Sequence, residues 1–436
     1  MSKSKIFLLG SLIFLLSNFI YLLYFEDKAN HSFDYGSFYT FEALVKNTDK
    51  KLNGFQVLIE PQNLANFSGD ILVYTYLYPV YSYGDRLEIS CKIYQPEPIV
   101  GDDGKTFAYD KYLAKDNIMA TCFRPRIKIL GKNKDLAFYI LKVKDYAWQN
   151  LNDYLVEPSS SLAKAMFLAT RREIPDELRN IFAKVGLSHM IAISGLHMAI
   201  IVWLMQSFLI ALGLSRKSSL WFLIIFLAIY LYMIGFPSSA VRASWMVIIL
   251  LLGPFLGRST ESIYSLVLVA DIFILFNPYL LLYDIGFQLS FLAVAGLLYY
   301  VKFFNKALVF IPTKFKIREV MAVTLAAQVF TWPFIIYNFG IFSLIAPIAN
   351  FLILPFLPAV LILSIILGIF GAWSFIANII AWPLFIILKI IVQIAELLAK
   401  VPYAFVIIED FSLFYMFLAL FFMLMITLVL KPKDYE

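Results

Sequence analysis

The sequence predicts a polytopic α-helical membrane protein with an N-terminal all-β domain, on three observations. Of its 436 residues 61% are hydrophobic and only 15% charged, with a mean hydropathy of +0.78, where a soluble domain carries about 25% charge. The apolar residues lie in runs of the length that crosses a bilayer as helix, roughly 17 to 25 residues. One stretch, residues 34–130, breaks this texture with short β-rich runs and turn residues. About ten transmembrane helices plus a broken or re-entrant segment are expected, with the β domain outside the cytoplasm. Aromatic content is 17% and net charge +6, so the distribution of charge is more informative than its sum.

Residues 6–25, "IFLLGSLIFLLSNFIYLLYF", follow Lys3 and Lys5 and form the first expected span. The run is long and ends in bulky aromatics without a small-x-small cleavage site, so an uncleaved anchor with a cytoplasmic N-terminus fits better than a signal peptide. Five strand-like runs follow: "SFYTFEALVK", "GFQVLIEP", "DILVYTYLY", "GDRLEISCKIYQP" and "NIMATCFRPRIKIL". Five strands in about one hundred residues suit a small barrel of the OB type. The insertion "DDGKTFAYDKYLAKD" reads as a short helix on a loop. Tyr74, Tyr76 and Tyr78 alternate in "VYTYLYPVYSY", so a strand there places all three on one face. Such a stripe stacks bases in OB-folds, or forms a hydrophobic wall against the membrane. Residues 26–135 hold 14 Lys and Arg against 15 Asp and Glu, a balance that does not favour nucleic acid. Cys91 and Cys122 are the only cysteines. They are either small buried hydrophobes or, if the domain lies outside, the two halves of one disulfide.

Residues 135–185 are amphipathic, "LAFYILKVKDYAWQNLNDYLV" with Lys142, Lys144 and Asp145 among helically spaced apolar residues, and are expected along the interface. The membrane domain occupies 187–430, with spans at about 187–213, 218–236, 238–257, 261–277, 285–304, 319–337, 357–372, 374–399 and 411–430. Residues 340–356, with two prolines and an asparagine, read as the broken segment. Basic residues at 215–217, Arg258, Lys302, Lys306, Lys314, Lys316, Arg318, Lys431 and Lys433 fall on alternate connections, which places those connections and both termini in the cytoplasm.

Polar groups at membrane depth are costly and mark a pathway or a buried pair. "HMIAISGLH" holds His189, Ser194, Gly195 and His197, two of the three histidines in the chain. Two histidines without a flanking carboxylate make no metal site, and nothing calls for a cofactor. Ser194 and a histidine would suit intramembrane hydrolysis if they met; the alternative is close helix packing at Gly195 and Ser194 with hydrogen-bonded histidines. "FPSSAVRASWM" opens a helix with Arg242 one turn inside. In "NPYLLLYDIGFQLSF", Asp284 and Gln288 are four apart and share a face if helical, unless Asp284 caps the helix. Gln328, Thr331 and Asn350 complete an expected polar interior.

The blocks "GLSHMIAISGLHM", "PSSAVRA", "NPYLLLYDIGFQLSF" and "TWPFIIYNFGIFSLIAPIANFLILP", in this order over roughly 186–358, resemble the competence-protein family of DNA uptake channels, the ComEC type. "GKTFAYDKYLAKDNI" is similar to that family's extracellular OB-like domain. The resemblance implies transport of single-stranded DNA across the cytoplasmic membrane during natural transformation, without enzymatic activity. It also implies partners: single-stranded DNA, membrane lipids, a DNA receptor, a cytoplasmic helicase or translocase, and a nuclease. Many members continue into a metallo-β-lactamase-like domain with a His/Asp cluster. This sequence ends at "LVLKPKDYE", its third histidine is His31, and second-strand degradation is expected either from a separate protein or not at all. Two other functions compete: an intramembrane hydrolase using Ser194 and a histidine, and a transporter of a lipid-linked or sugar substrate. Basic residues well inside the spans are few, Arg242 among them, which suits a conduit from which a polyanion must also leave.

Overall fold

The computed structural model describes residues 3–24, 33–51, 54–100, 106–255, 262–312, 316–408 and 410–429. His31, Arg258, Lys314, Lys431 and Lys433 lie outside them. The chain divides into two compact units, residues 1–143 with 270–285, and residues 144–269 with 286–436.

The first unit opens with helix α1 (Lys3–Tyr24) and is dominated by β1 (Phe38–Lys51), β2 (Gly54–Pro61), β3 (Asp70–Thr75), β4 (Asp85–Tyr94), β5 (Ile99–Val100), β6 (Thr106–Phe107), helix α2 (Tyr109–Ala114), β7 (Ile118–Phe123) and β8 (Arg126–Lys132). The strand order β1-β2-β3-β7-β4 closes through a further β1–β4 pairing into a five-stranded barrel, and β8 adds to β4. All of these pairings are antiparallel except β3 with β7. Along β4, Asp85, Leu87, Ile89, Cys91 and Ile93 are buried while the intervening residues are not, the period of two that one inward face demands. Val45, Val57, Ile59, Ile71, Val73, Leu87, Ile89 and Ile93 fill the barrel. Cys91 and Cys122 join β4 to β7 as a disulfide with Cα atoms 6.3 Å apart.

Two sequence expectations need correction here. The strand after Asp70 ends at Thr75, so Tyr76 and Tyr78 lie in the following loop and form no stripe with Tyr74. The run 117–130 is two strands, because Arg124 takes a left-handed turn (φ 48°) before a proline.

The connecting helix α3 (Leu136–Tyr154) begins in the first unit and ends in the second. The second unit continues with α4 (Ser159–Leu168), α5 (Asp176–Lys184), α6 (Ser188–Ile191), α7 (Gly195–Ala211), α8 (Arg216–Ile234) and α9 (Ser238–Phe255). Helix α10 (Ser262–Phe276) leads through α11 (Leu280–Tyr283) to α12 (Ile285–Ala307) and α13 (Ile317–Phe339). Then come β9 (Ile341–Ser343), α14 (Ala346–Ile353), α15 (Leu357–Phe370), α16 (Ser374–Ala399), β10 (Phe405–Ile407) and α17 (Leu413–Val429). Among the described residues, five helical stretches are long and apolar enough to cross a membrane: Arg216–Ile234, Ile285–Ala307, Ile317–Phe339, Ala346–Phe370 and Ser374–Ala399. Shorter apolar helices of 10–17 residues include Leu9–Leu22, Gly195–Ala211, Ser238–Leu252, Tyr264–Phe276 and Leu413–Thr427.

Three further expectations differ. The span 187–213 is interrupted at residues 192–194 between α6 and α7. Residues 340–356 are not a break but a short strand followed by helix running on to Phe370 through a 3-10 turn at Leu354–Phe356. The prolines there stand at the first positions of helical turns, where a missing N–H costs nothing. Within the stretch expected at the interface, every residue of α4 is buried. It packs against α15 and α16.

Candidate functional site

The site is built from the places where helices begin. Ser194 has extended backbone (φ −112°, ψ 175°) and caps α7. Serine suits this position because its hydroxyl serves a free N–H of the first turn. His197 completes the box. Its Nδ1 accepts the Ser194 backbone N–H at 3.3 Å and stands 2.9 Å from Ser194 Oγ. A nitrogen accepting from a backbone N–H carries no proton, so Nε2 holds it. His197 is fully buried, and Nε2 has no hydrogen-bond partner among the described residues. His189 lies on α6, exposed, and so does not share a helix with His197.

The interruption packs onto the start of α9. Ser239 Oγ donates to the carbonyl of Ile193 at 2.5 Å, and a Cβ on Gly195 would lie 3.8 Å from that of Ala243, an ordinary contact. The glycine that the packing requires is Gly186. It has φ +75°, and a Cβ there would stand 2.5 Å from Ala346 Cβ and 3.1 Å from Ser343 Cβ.

Arg242, one turn into α9, is 1% exposed. Its Nη2 donates to the Gly286 carbonyl at 2.7 Å, and its guanidinium lies 5.6 Å from the Phe287 ring centroid. The arginine therefore points inward and does not snorkel. It ties the first turn of α9 to the first turn of α12, just as Ser239 ties α9 to the chain before α7. Three helix beginnings thus meet, and each directs the positive end of its peptide dipoles to this region.

Other expected residues stand apart. Asp284 is buried with extended backbone (φ −112°, ψ 95°) immediately before α12, so it does not share a helical face with Gln288, which lies within α12 and is half-buried. Thr331 Oγ1 donates within its own helix, to Ala327 O at 2.9 Å, and approaches Gln328 O at 3.4 Å. Asn350 is buried in α14, and its Oδ1 has no hydrogen-bond partner among the described residues.

On the barrel, Tyr74 stacks on Phe123 (4.8 Å, 12°), and Tyr94 meets Phe123 edge-on at 6.0 Å. Lys92 lies over Tyr94, and Arg124 over Tyr76, each at 5.4 Å. Tyr76, Tyr78, Tyr94 and Phe123 are exposed. Sequence reading missed Tyr94 and Phe123 because cross-strand neighbours are set by register, β3 pairing Tyr74 with Phe123.

Two membrane-domain groups were also missed. Lys164 is 2% exposed at its side chain, bonded to Glu173 at 2.7 Å, to Asn152 at 3.2 Å and lying over the Trp148 ring at 4.3 Å. Asp271 of α10 accepts from Ser11 of α1 at 2.8 Å. Each is a lone ionisable residue in an apolar run, the signal that singled out Arg242.

A model of the Competence protein family matches residues 166–433. ComE operon protein 3 of Bacillus subtilis (strain 168) is 28% identical over 250 residues, covering 57% of this chain and 31% of that protein. The aligned part of the chain thus spans about a third of the length of this curated relative. No solved structure matches. With the family match running from α4 to α17 and so containing the three joined helix beginnings, the chain is a membrane protein that belongs to the competence protein family.

Proposed function

We propose that this chain conducts single-stranded DNA across the cytoplasmic membrane during natural transformation, as a channel and not an enzyme. The observation that carries the reading is the family match over 166–433, which encloses the joined beginnings of α7, α9 and α12. There Arg242 and His197 bring the polar character a phosphate chain needs, amid positive helix ends. His189, Ser194, Gly195, Gln288, Gln328 and Asn350 shape the same path.

The orientation is part of the proposal. Ten spans with both termini inside leave the barrel, which is OB-like, outside the cytoplasm. Two contacts accord with the alternation of the spans: Asn277 bonds to Lys115 of the barrel's loop helix, and β9 pairs with β10. Each joins segments that the charge pattern assigns to the same side. On the barrel, Tyr74, Phe123 and Tyr94, with Tyr76, Tyr78 and Arg124 beside them, offer faces on which bases stack. A DNA receptor would deliver the strand, a cytoplasmic helicase or translocase would draw it in, and a nuclease would remove the complement.

The hydrolase reading has one observation in its favour, the 2.9 Å approach of Ser194 Oγ to His197 Nδ1. The same nitrogen takes the Ser194 N–H, and no carboxylate orients Nε2 among the described residues; this is capping geometry. Uptake of labelled DNA by a deletion strain carrying this gene tests the proposal. Uptake restored by the wild-type gene supports it. Full recovery of membrane protein without uptake refutes it.

A further inference from the structure

The insertion that precedes β7 folds as α2, whose last carbonyls are taken up by the turn after it, Asp116 N–H donating to Leu113 O and Asn117 N–H to Ala114 O, each at 3.0 Å. The Lys115 carbonyl, at its C-terminal end, accepts from Asn277 Nδ2 at 2.7 Å. Asn277 thereby caps α2 from the connection between α10 and α12. The Lys115 side chain is 10% exposed and lies over the Tyr112 ring at 4.6 Å. Its Nζ is 3.1 Å from Asp116 and 4.0 Å from Asp284, whose side chain is 7% exposed. On its other side the same turn is held to the barrel: Asn117 O accepts from the Asp70 N–H at 2.8 Å. The short helix therefore grips β3 at one edge and residues 277–284 at the other, through two chemically different contacts on successive parts of one motif.

We infer that α2 is a latch that seats the barrel on the α10–α12 connection, with Lys115, Asn277 and Asp284 as positioning residues, and that uptake requires the seated state. The second clause rests on the function proposed above. A flexible tether would leave the strand to find its entrance by diffusion. A barrel held to residues 277–284 keeps a fixed register with that segment.

The test uses the full-length protein in membranes and in detergent. Lys115→Met, Asp284→Asn and Asn277→Ala are compared with the double variant Lys115→Met/Asp284→Asn, since removing both partners of a buried pair costs far less than removing one. Seating is read by the rate of trypsin cleavage at Lys111 within α2, and function by DNA uptake. The single variants should cleave several-fold faster and lose about tenfold in uptake, and the double variant should regain much of both. Single variants that keep α2 protected overturn the latch, as does a double variant that is abundant yet regains neither property. Lost protection with normal uptake overturns the requirement for seating. If the wild-type chain itself gives no uptake, the functional reading falls and the trypsin rates alone decide the latch.

Discussion

His197 Nδ1 and Ser194 Oγ stand 2.9 Å apart across the first turn of α7. The contact ends the interruption in the segment 187–213: Ser194 supplies an acceptor to the helix, and His197 returns one to the Ser194 N–H. Ser194→Ala removes the hydroxyl and leaves the histidine cap, so it should cost about 1 kcal/mol of stability and retain most DNA uptake. Ser194→Leu overfills the contact and should lose uptake with lower abundance. Thermal unfolding and transformation counts separate the two. Loss of uptake by a folded, abundant Ser194→Ala protein, or labelling of Ser194 by a fluorophosphonate, would favour the hydrolase reading.

The two glycines of this region should behave oppositely. Gly186→Ala meets Ala346 and Ser343 from a left-handed backbone, so it should destabilise by about 1 to 3 kcal/mol. Gly195→Ala meets only Ala243 at contact distance and should be nearly silent. Detergent-solubilised melting curves of both variants check this; equal effects would contradict the packing.

Arg242 holds Gly286 O from a fully buried position. Arg242→Leu should insert normally and abolish uptake, and Arg242→Lys should recover little, because an ammonium cannot reproduce the planar fork. Western blots of membranes alongside transformation frequencies decide the matter. Normal transformation by Arg242→Leu would remove the arginine from the pathway.

The aromatic patch on the barrel predicts single-strand affinity. Phe123→Ala and Tyr94→Ala should each weaken binding of a fluorescent oligothymidylate to the purified full chain by about 1 to 3 kcal/mol. Unchanged binding would assign these rings to packing or to the membrane surface.

Orientation is read by labelling. Ser68 is exposed in a turn before β3. Ser68→Cys should react with a membrane-impermeant maleimide in intact cells, and because Cys91 and Cys122 are joined, the native pair can stay in place. Reaction only after permeabilisation would put the barrel in the cytoplasm.

By itself the sequence determined the classes of element: apolar runs of bilayer length, period-two runs between turn residues, and the costly polar residues within the spans. These depend on local pattern and solvent, which a linear reading sees. It also showed that Ser194, Arg242 and Asp284 were unusual, since each interrupts a hydrophobic run. Only tertiary structure decided what they touch. Ser194 caps because the chain breaks at residues 192–194; Arg242 reaches Gly286 because α9 and α12 begin side by side; Asp284 faces Lys115 because α2 folds onto residues 277–284. Tyr76 and Tyr78 left the strand, while Phe123, half a domain away in sequence, came to stack on Tyr74. Pairing register and helix packing join residues distant along the chain, and no local period encodes which of them will meet.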